Sequence, residues 1–143
     1  MLQKQICVFI ENKKGRLAEV TKVLGDNGVD MTALSIADTT DFGILRLIVD
    51  KPDEAEKALK ENGFTVSTTE VIALSVEDKP GGLAIALSIL GNLDINIEYM
   101  YAFLRRNSKT AVVIVRVEKP HEAIEKIRAS EITLLTEAEL NSL

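Results

Sequence analysis

The chain has 143 residues, 46% of them hydrophobic and 27% charged, which is enough to build one ordinary domain or two small ones. Its net charge of −5, with no block of like charges, argues against nucleic-acid binding through a basic face. A single cysteine, Cys7, excludes an intrachain disulfide and suits a reducing, cytoplasmic setting.

In chain order, the alternating apolar residues of "QICVFIE" predict a strand, with Ile6, Val8 and Ile10 inward and Cys7 and Phe9 outward. The loop "NKKGRL" follows. Leu17, Val20 and Leu24 then fall on one stripe of a helix. Two β-rich runs, "VDMTALSIA" and "ILRLIVD", flank a turn. Pro52 opens a second helix with Ala55, Ala58 and Leu59 on one face, and Asn62-Gly63 closes it. A last strand, "FTVSTT", completes the set.

The same order then repeats. Gly15, Leu17, Ala18, Leu24 and Gly25 recur 66 positions on as Gly81, Leu83, Ala84, Leu90 and Gly91. "VIALSVE" is the strand, "DKPGGL" the loop, and Leu83, Ala86, Leu87 and Leu90 the helical stripe. "INIEYMYAFL" and "AVVIVRVE" are the paired strands. Pro120 opens the second helix, with Ala123, Ile124 and Ile127 inward, and "ITLL" is a shorter last strand. The offset grows to 68 at Lys51-Pro52 and Lys119-Pro120, so two residues are inserted between "ADTTDFG" and "FLRRNSKT", in a hairpin tip.

The fold class is α+β: two tandem ferredoxin-like βαββαβ units, residues 1–68 and 69–143, with antiparallel sheets and helices on one face. No Gly or Pro interrupts "FTVSTTEVIALSVE", so the last strand of one copy should run into the first of the next. That short tether predicts units packed side by side. Leu45, Leu47 and Val49 and their counterparts Val113, Val115 and Val117 face the helices. The opposite face still carries Ile48, Val112 and Ile114. If uncovered, it calls for a second copy, so a homodimer is expected.

The two loops are where chemistry is expected. Gly15 and Gly81 permit positive φ or close backbone approach. The helix that follows offers unpaired N–H groups to a carboxylate, and Asn12 or Asp78 can accept from an ammonium or cap the helix. These parts suit an amino-acid zwitterion, and they equally suit a tight turn with an N-cap. The aromatic tract "YMYAF" fits sheet packing or a dimer face, the wall of a small-ligand site, or a base-stacking platform. His121 lies in the first turn of a surface helix without a catalytic partner. There is no metal-ligand spacing, so no enzyme activity, metal or cofactor is expected. No apolar run is long enough to span a bilayer.

A strand, then Asp78-Lys79-Pro80-Gly81-Gly82-Leu83, a helix and "INI" opening the next strand resemble the ACT domain. The first copy departs from that motif, with Asn12 for the acid and Lys14 for proline. The resemblance covers essentially the whole chain as a free-standing tandem ACT protein. It implies a regulatory domain that binds an amino acid between two paired ACT units, touching the glycine loop of one and the second-strand start of the other. Carried over by position, the site residues are Asn12, Gly15, Arg16 and Leu17 with Asp30 and Met31, and Asp78, Gly81, Gly82 and Leu83 with Asn96 and Ile97. The implied output is regulation of a partner enzyme. The alternative is an interaction subunit, like the small subunit of acetolactate synthase, with no ligand response of its own.

Overall fold

The computed structural model describes residues 1–38, 41–104 and 109–143. The elements run β1 (Gln3–Glu11), α1 (Arg16–Asp26), β2 (Met31–Asp38), β3 (Phe42–Val49), α2 (Pro52–Glu61), β4 (Thr65–Glu77), α3 (Gly82–Asn92), β5 (Ile97–Leu104), β6 (Thr110–Val117), α4 (Pro120–Arg128), β7 (Thr133–Leu134) and α5 (Glu137–Asn141). This is βαββαβ twice, with one short helix added. The chain divides into an N-terminal unit, Lys4–Thr69, and a C-terminal unit, Glu70–Leu143 joined by Met1–Gln3. The two repeats are bridged by one uninterrupted strand, β4, as the lack of Gly and Pro there predicts. The expected two-residue insertion in the hairpin tip lies outside the described residues.

In the N-terminal unit β3 pairs antiparallel with β1 on one side and β2 on the other. Ile6 sits opposite Leu47, and Val8 opposite Leu45, so these side chains share a face. With Ile10, Val49, Val20 and Leu24 of α1, and Ala55 and Leu59 of α2, they form one buried core. In the C-terminal unit the order is β7-β4-β6-β5, all antiparallel. Ile72, Leu74 and Val76 meet Val113, Val115 and Val117 beneath Ala86 and Leu90 of α3 and Ala123, Ile124 and Ile127 of α4. Both cores use the positions that period-two and period-3.6 patterning mark, except Leu17 and Leu83, which head the two helical stripes but are 40% and 38% exposed.

The opposite sheet faces differ from expectation. Ile48, Val112 and Ile114 are 3%, 3% and 0% exposed in the single chain. They are therefore not the uncovered side chains from which a second copy was inferred, and that ground for a homodimer is withdrawn. Period-two logic placed them correctly on the far face, but it cannot tell whether a face is covered. Elsewhere on that face Phe9 is 49% exposed and stacks at a tilt on Phe42, ring centroids 5.7 Å apart. Cys7 is half-buried and accepts a hydrogen bond from Gln5 Nε2 at 3.3 Å. Tyr99 and Tyr101 lie opposite Arg116 and Ile114, half-buried, while Met100 packs into the C-terminal core. The side chain of Phe103 lies outside the described residues.

The added helix α5 is held by a capping box. Glu139 N–H donates to Thr136 Oγ1 at 3.2 Å, and Thr136 N–H donates to Glu139 Oε2 at 2.7 Å. Sequence reading ended at "ITLL" and missed it, although Thr-Glu-Ala-Glu is the signature of such a start.

Candidate functional site

Each unit builds its loop from a strand end and a helix start. In the N-terminal unit Asn12 N–H donates to Asp41 O at 3.0 Å, holding the strand end, and Gly15 turns the chain with φ 90° into α1. In the C-terminal unit Asp78 N–H donates to Lys109 O at 2.8 Å, and Gly81 turns it with φ 85° into α3. Positive φ of that size costs any residue with a Cβ. A Cβ at either position would meet nothing within 4 Å, so the constraint is torsional, with open space around it.

Gly82 is glycine for a different reason. A Cβ there would lie 2.1 Å from the carbonyl oxygen of Glu77, so the first turn of α3 presses on the end of β4. The equivalent position in the first copy is Arg16. Its guanidinium lies 4.9 Å from the centroid of the Phe64 ring and pairs with Glu19 at 2.6 Å. Arg16 is thus held along its own helix.

Neither Asn12 nor Asp78 caps its helix, contrary to one reading of the sequence. Glycine occupies each N-cap position, and no side chain bonds there. The Gly15 and Gly81 carbonyls accept from Glu19 and Ile85 N–H at 3.0 and 3.1 Å. The amides of Leu17 and Ala18, and of Leu83 and Ala84, find no acceptor among the described residues. Two uncapped helix starts, each behind a left-handed glycine, are what the loops offer to an anionic group. One ion pair recurs in both loops: Glu11 with Lys13 at 2.8 Å, and Glu77 with Lys79. The hydrogen bond from Lys13 holds the Glu11 carboxyl below its usual range.

The strand starts lie at the other end of each sheet. Glu11 is level with Phe42, and Met31 with Val49, seven residues along β3. At strand rise that is roughly 23 Å. In the second copy Glu77 is level with Thr110 and Ile97 with Val117. Within one unit, loop and strand start are therefore not brought together. Asp30 and Asp50 tie the first strand start, with Asp30 N–H on Asp50 Oδ1 at 2.9 Å and Asp50 N–H on Asp30 O at 3.1 Å. Met31 and Ile97 are half-buried against their own cores.

Asn96 lines a cleft of about 210 Å³ with Asp94, Glu118, Lys119, Glu122 and Lys126. Lys126 Nζ donates to Leu93 O at 3.1 Å across one wall. Asp94, with φ 58°, stands where the first copy has Gly28 at φ 68°. Sequence reading passed over this cleft. The available signal was an aspartate replacing a turn glycine beside a predicted site residue.

His121 is exposed and sits 3.4 Å from Glu70, on the surface as expected. Among the described residues no group of acidic, histidine or cysteine side chains is arranged to hold a metal, and no helix is long and apolar enough to cross a membrane.

The family model of the ACT domain pair matches residues 1–143. The chain belongs to the ACT family. A crystal structure of protein BT0572 from Bacteroides thetaiotaomicron is 43% identical, covers 100% of this ACT pair and 98% of its own chain, and superposes with a TM-score of 0.93. The regulatory subunit of aspartate kinase from Thermus thermophilus, in a ligand-free form, shares the fold at 20% identity and a TM-score of 0.65, over 89% of this chain and 92% of that one. The corresponding subunit from Thermus flavus shares it at 15% identity and 0.61, over 90% and 92%. A search of the curated proteins returns no match. Both units of the ACT pair have the ferredoxin-like fold expected of them.

Proposed function

We propose that this ACT pair is a non-catalytic cytoplasmic sensor that binds a free amino acid and passes the event to a partner enzyme. The observation that carries the reading is the pair of uncapped helix starts behind Gly15 and Gly81. Each sets two free amide donors where a carboxylate is favoured, with room around the glycine. The ligand's other end meets a strand start, Asp30 and Met31 or Asn96 and Ile97. One unit holds its loop and strand start about 23 Å apart. A single amino acid touching both must therefore take them from two different ACT units. Binding of that kind favours one arrangement of units over another, and a partner reads the difference. Supporting the regulatory output, subunits that regulate aspartate kinase share this fold.

A second reading has its own support. Leu83 and Ile85 are 38% and 58% exposed on α3, a helix without a charged residue. An apolar helix face suits an interaction subunit that contacts a protein, with no ligand of its own, like the small subunit of acetolactate synthase. A thermal-shift screen of the standard amino acids separates the two. One ligand at 100 times its dissociation constant adds about 2.7 kcal/mol of stability. No shift with any amino acid favours the interaction subunit.

A further inference from the structure

The two strand starts of the ACT pair occupy matching positions, yet one is closed by its own chain and the other stands open. At the first, Asp50 Oδ1 accepts from Asp30 N–H at 2.9 Å, and Lys51 Nζ donates to Gly28 O at 3.1 Å. A Cβ on Gly28 would lie 3.8 Å from Lys51 Nζ, so the lysine lies over the turn itself. At the second, the matching residues are Asn96, Glu118, Lys119 and Asp94. The backbone tie is kept, with Glu118 N–H on Asn96 O at 3.4 Å. The side-chain ties are not. Among the described residues, neither the backbone N–H of Asn96 nor the side chains of Asp94, Glu118 and Lys119 have a hydrogen-bond or ion-pair partner. Asp94 holds φ 58° where the first copy has glycine, so a carboxylate is set at this turn at a torsional cost.

The open start borders the cleft of about 210 Å³, which the buried Val117 and Ala123 also line. That volume is below the roughly 300–1,000 Å³ of sites for drug-sized ligands and suits a small metabolite. Lys126 pairs with Glu122 at 3.7 Å and donates to Leu93 O, so the charges left over are Asp94 and Glu118 against Lys119. Two carboxylates against one ammonium favour a cationic group in the cleft. We propose that a ligand enters at the second strand start alone, where Asp94 and Glu118 receive the ammonium of an amino acid whose carboxylate lies on a helix start. At the first start the chain's own ammonium, Lys51, already holds the turn, and Asp50 holds the Asp30 amide. This assignment rests on the ligand reading and takes it from two matching starts to one.

Two double variants test it: Asp94→Gly/Glu118→Ala strips the open start, and Asp50→Ala/Lys51→Ala unties the closed one. Urea unfolding reads closure without any ligand. The midpoint is expected to fall in Asp50→Ala/Lys51→Ala and to hold in Asp94→Gly/Glu118→Ala, whose lost groups have no partner and whose new glycine suits φ 58°. An equal fall in both overturns the proposal. Isothermal titration with each standard amino acid is then expected to find one ligand per chain. Its affinity should be about tenfold weaker, or worse, in Asp94→Gly/Glu118→Ala and unchanged in Asp50→Ala/Lys51→Ala. Two ligands per chain, unchanged affinity in the former or an equal loss in both overturns this proposal alone. No heat from any amino acid with the wild type brings down the ligand reading, and this proposal with it.

Discussion

The two glycine loops reach one backbone shape from different sequences. "NKKGRL" and "DKPGGL" share the lysine that pairs with the strand-end glutamate, the left-handed glycine and the leucine after the turn. They differ at Asn12 against Asp78, at Lys14 against Pro80 and at Arg16 against Gly82. In the C-terminal loop the helix start presses on Glu77 O and only glycine fits. In the N-terminal loop a long side chain stands at that position, with its guanidinium over the Phe64 ring. The lesson is that the turn and the bare amides are kept, while the packing behind them is free to diverge.

The widest test of equivalence lies in the cores. Leu24 and Leu90 are matched residues, each 0% exposed, and truncating either to alanine should cost about 2–5 kcal/mol. Urea unfolding is the measurement. A much smaller loss at one of them would show that the two cores are not packed alike.

The loops themselves should separate next. Gly82→Ala must move the helix start off Glu77, costing roughly 1–3 kcal/mol as overpacking does. Arg16→Ala removes an exposed ion pair and a cation–π contact and should cost below about 1 kcal/mol. Equal losses would remove the distinction drawn between them. Gly15→Ala and Gly81→Ala should instead agree with each other, at about 1–2 kcal/mol, because each meets open space and the same torsional strain.

The smallest effect concerns α5, which has no counterpart in the first copy. Thr136→Ala should cost about 1 kcal/mol through the lost cap. The backbone N–H of Thr136, then its hydroxyl, hold the Glu139 carboxyl below its unfolded value of 4.5. A carboxylate so depressed contributes stability above that value and loses it as pH falls through the folded one. Acid titration of stability should therefore be flatter below about pH 4.5 in Glu139→Gln than in the wild type.

Much of this fold was legible because it was written twice. Leu45, Leu47 and Val49 and their matches declare the core face by alternation, and Pro52 and Pro120 mark helix starts. Other features depend on contacts that a linear pattern does not carry. Ile48, Val112 and Ile114 are correctly placed on the far face, but their burial is set by what lies over them. Asn12 and Asp78 have the chemistry of caps, yet the left-handed glycine takes the cap position in each copy. The local signal for α5 was present in Thr136 and Glu139, and was hidden by the expectation that the repeat would end the chain. At the candidate site, residue types pointed to the loops. The separation of loop from strand start follows only from register.

The central claim is that the bare helix starts behind Gly15 and Gly81 hold an amino acid. Isothermal titration of the standard amino acids into the wild type, Gly15→Val and Gly81→Val, each shown folded by circular dichroism, tests it most directly. The account predicts that at least one amino acid binds the wild type and that a valine at one or both glycines abolishes the heat. No binding by any amino acid, or binding unchanged in both variants, would contradict it.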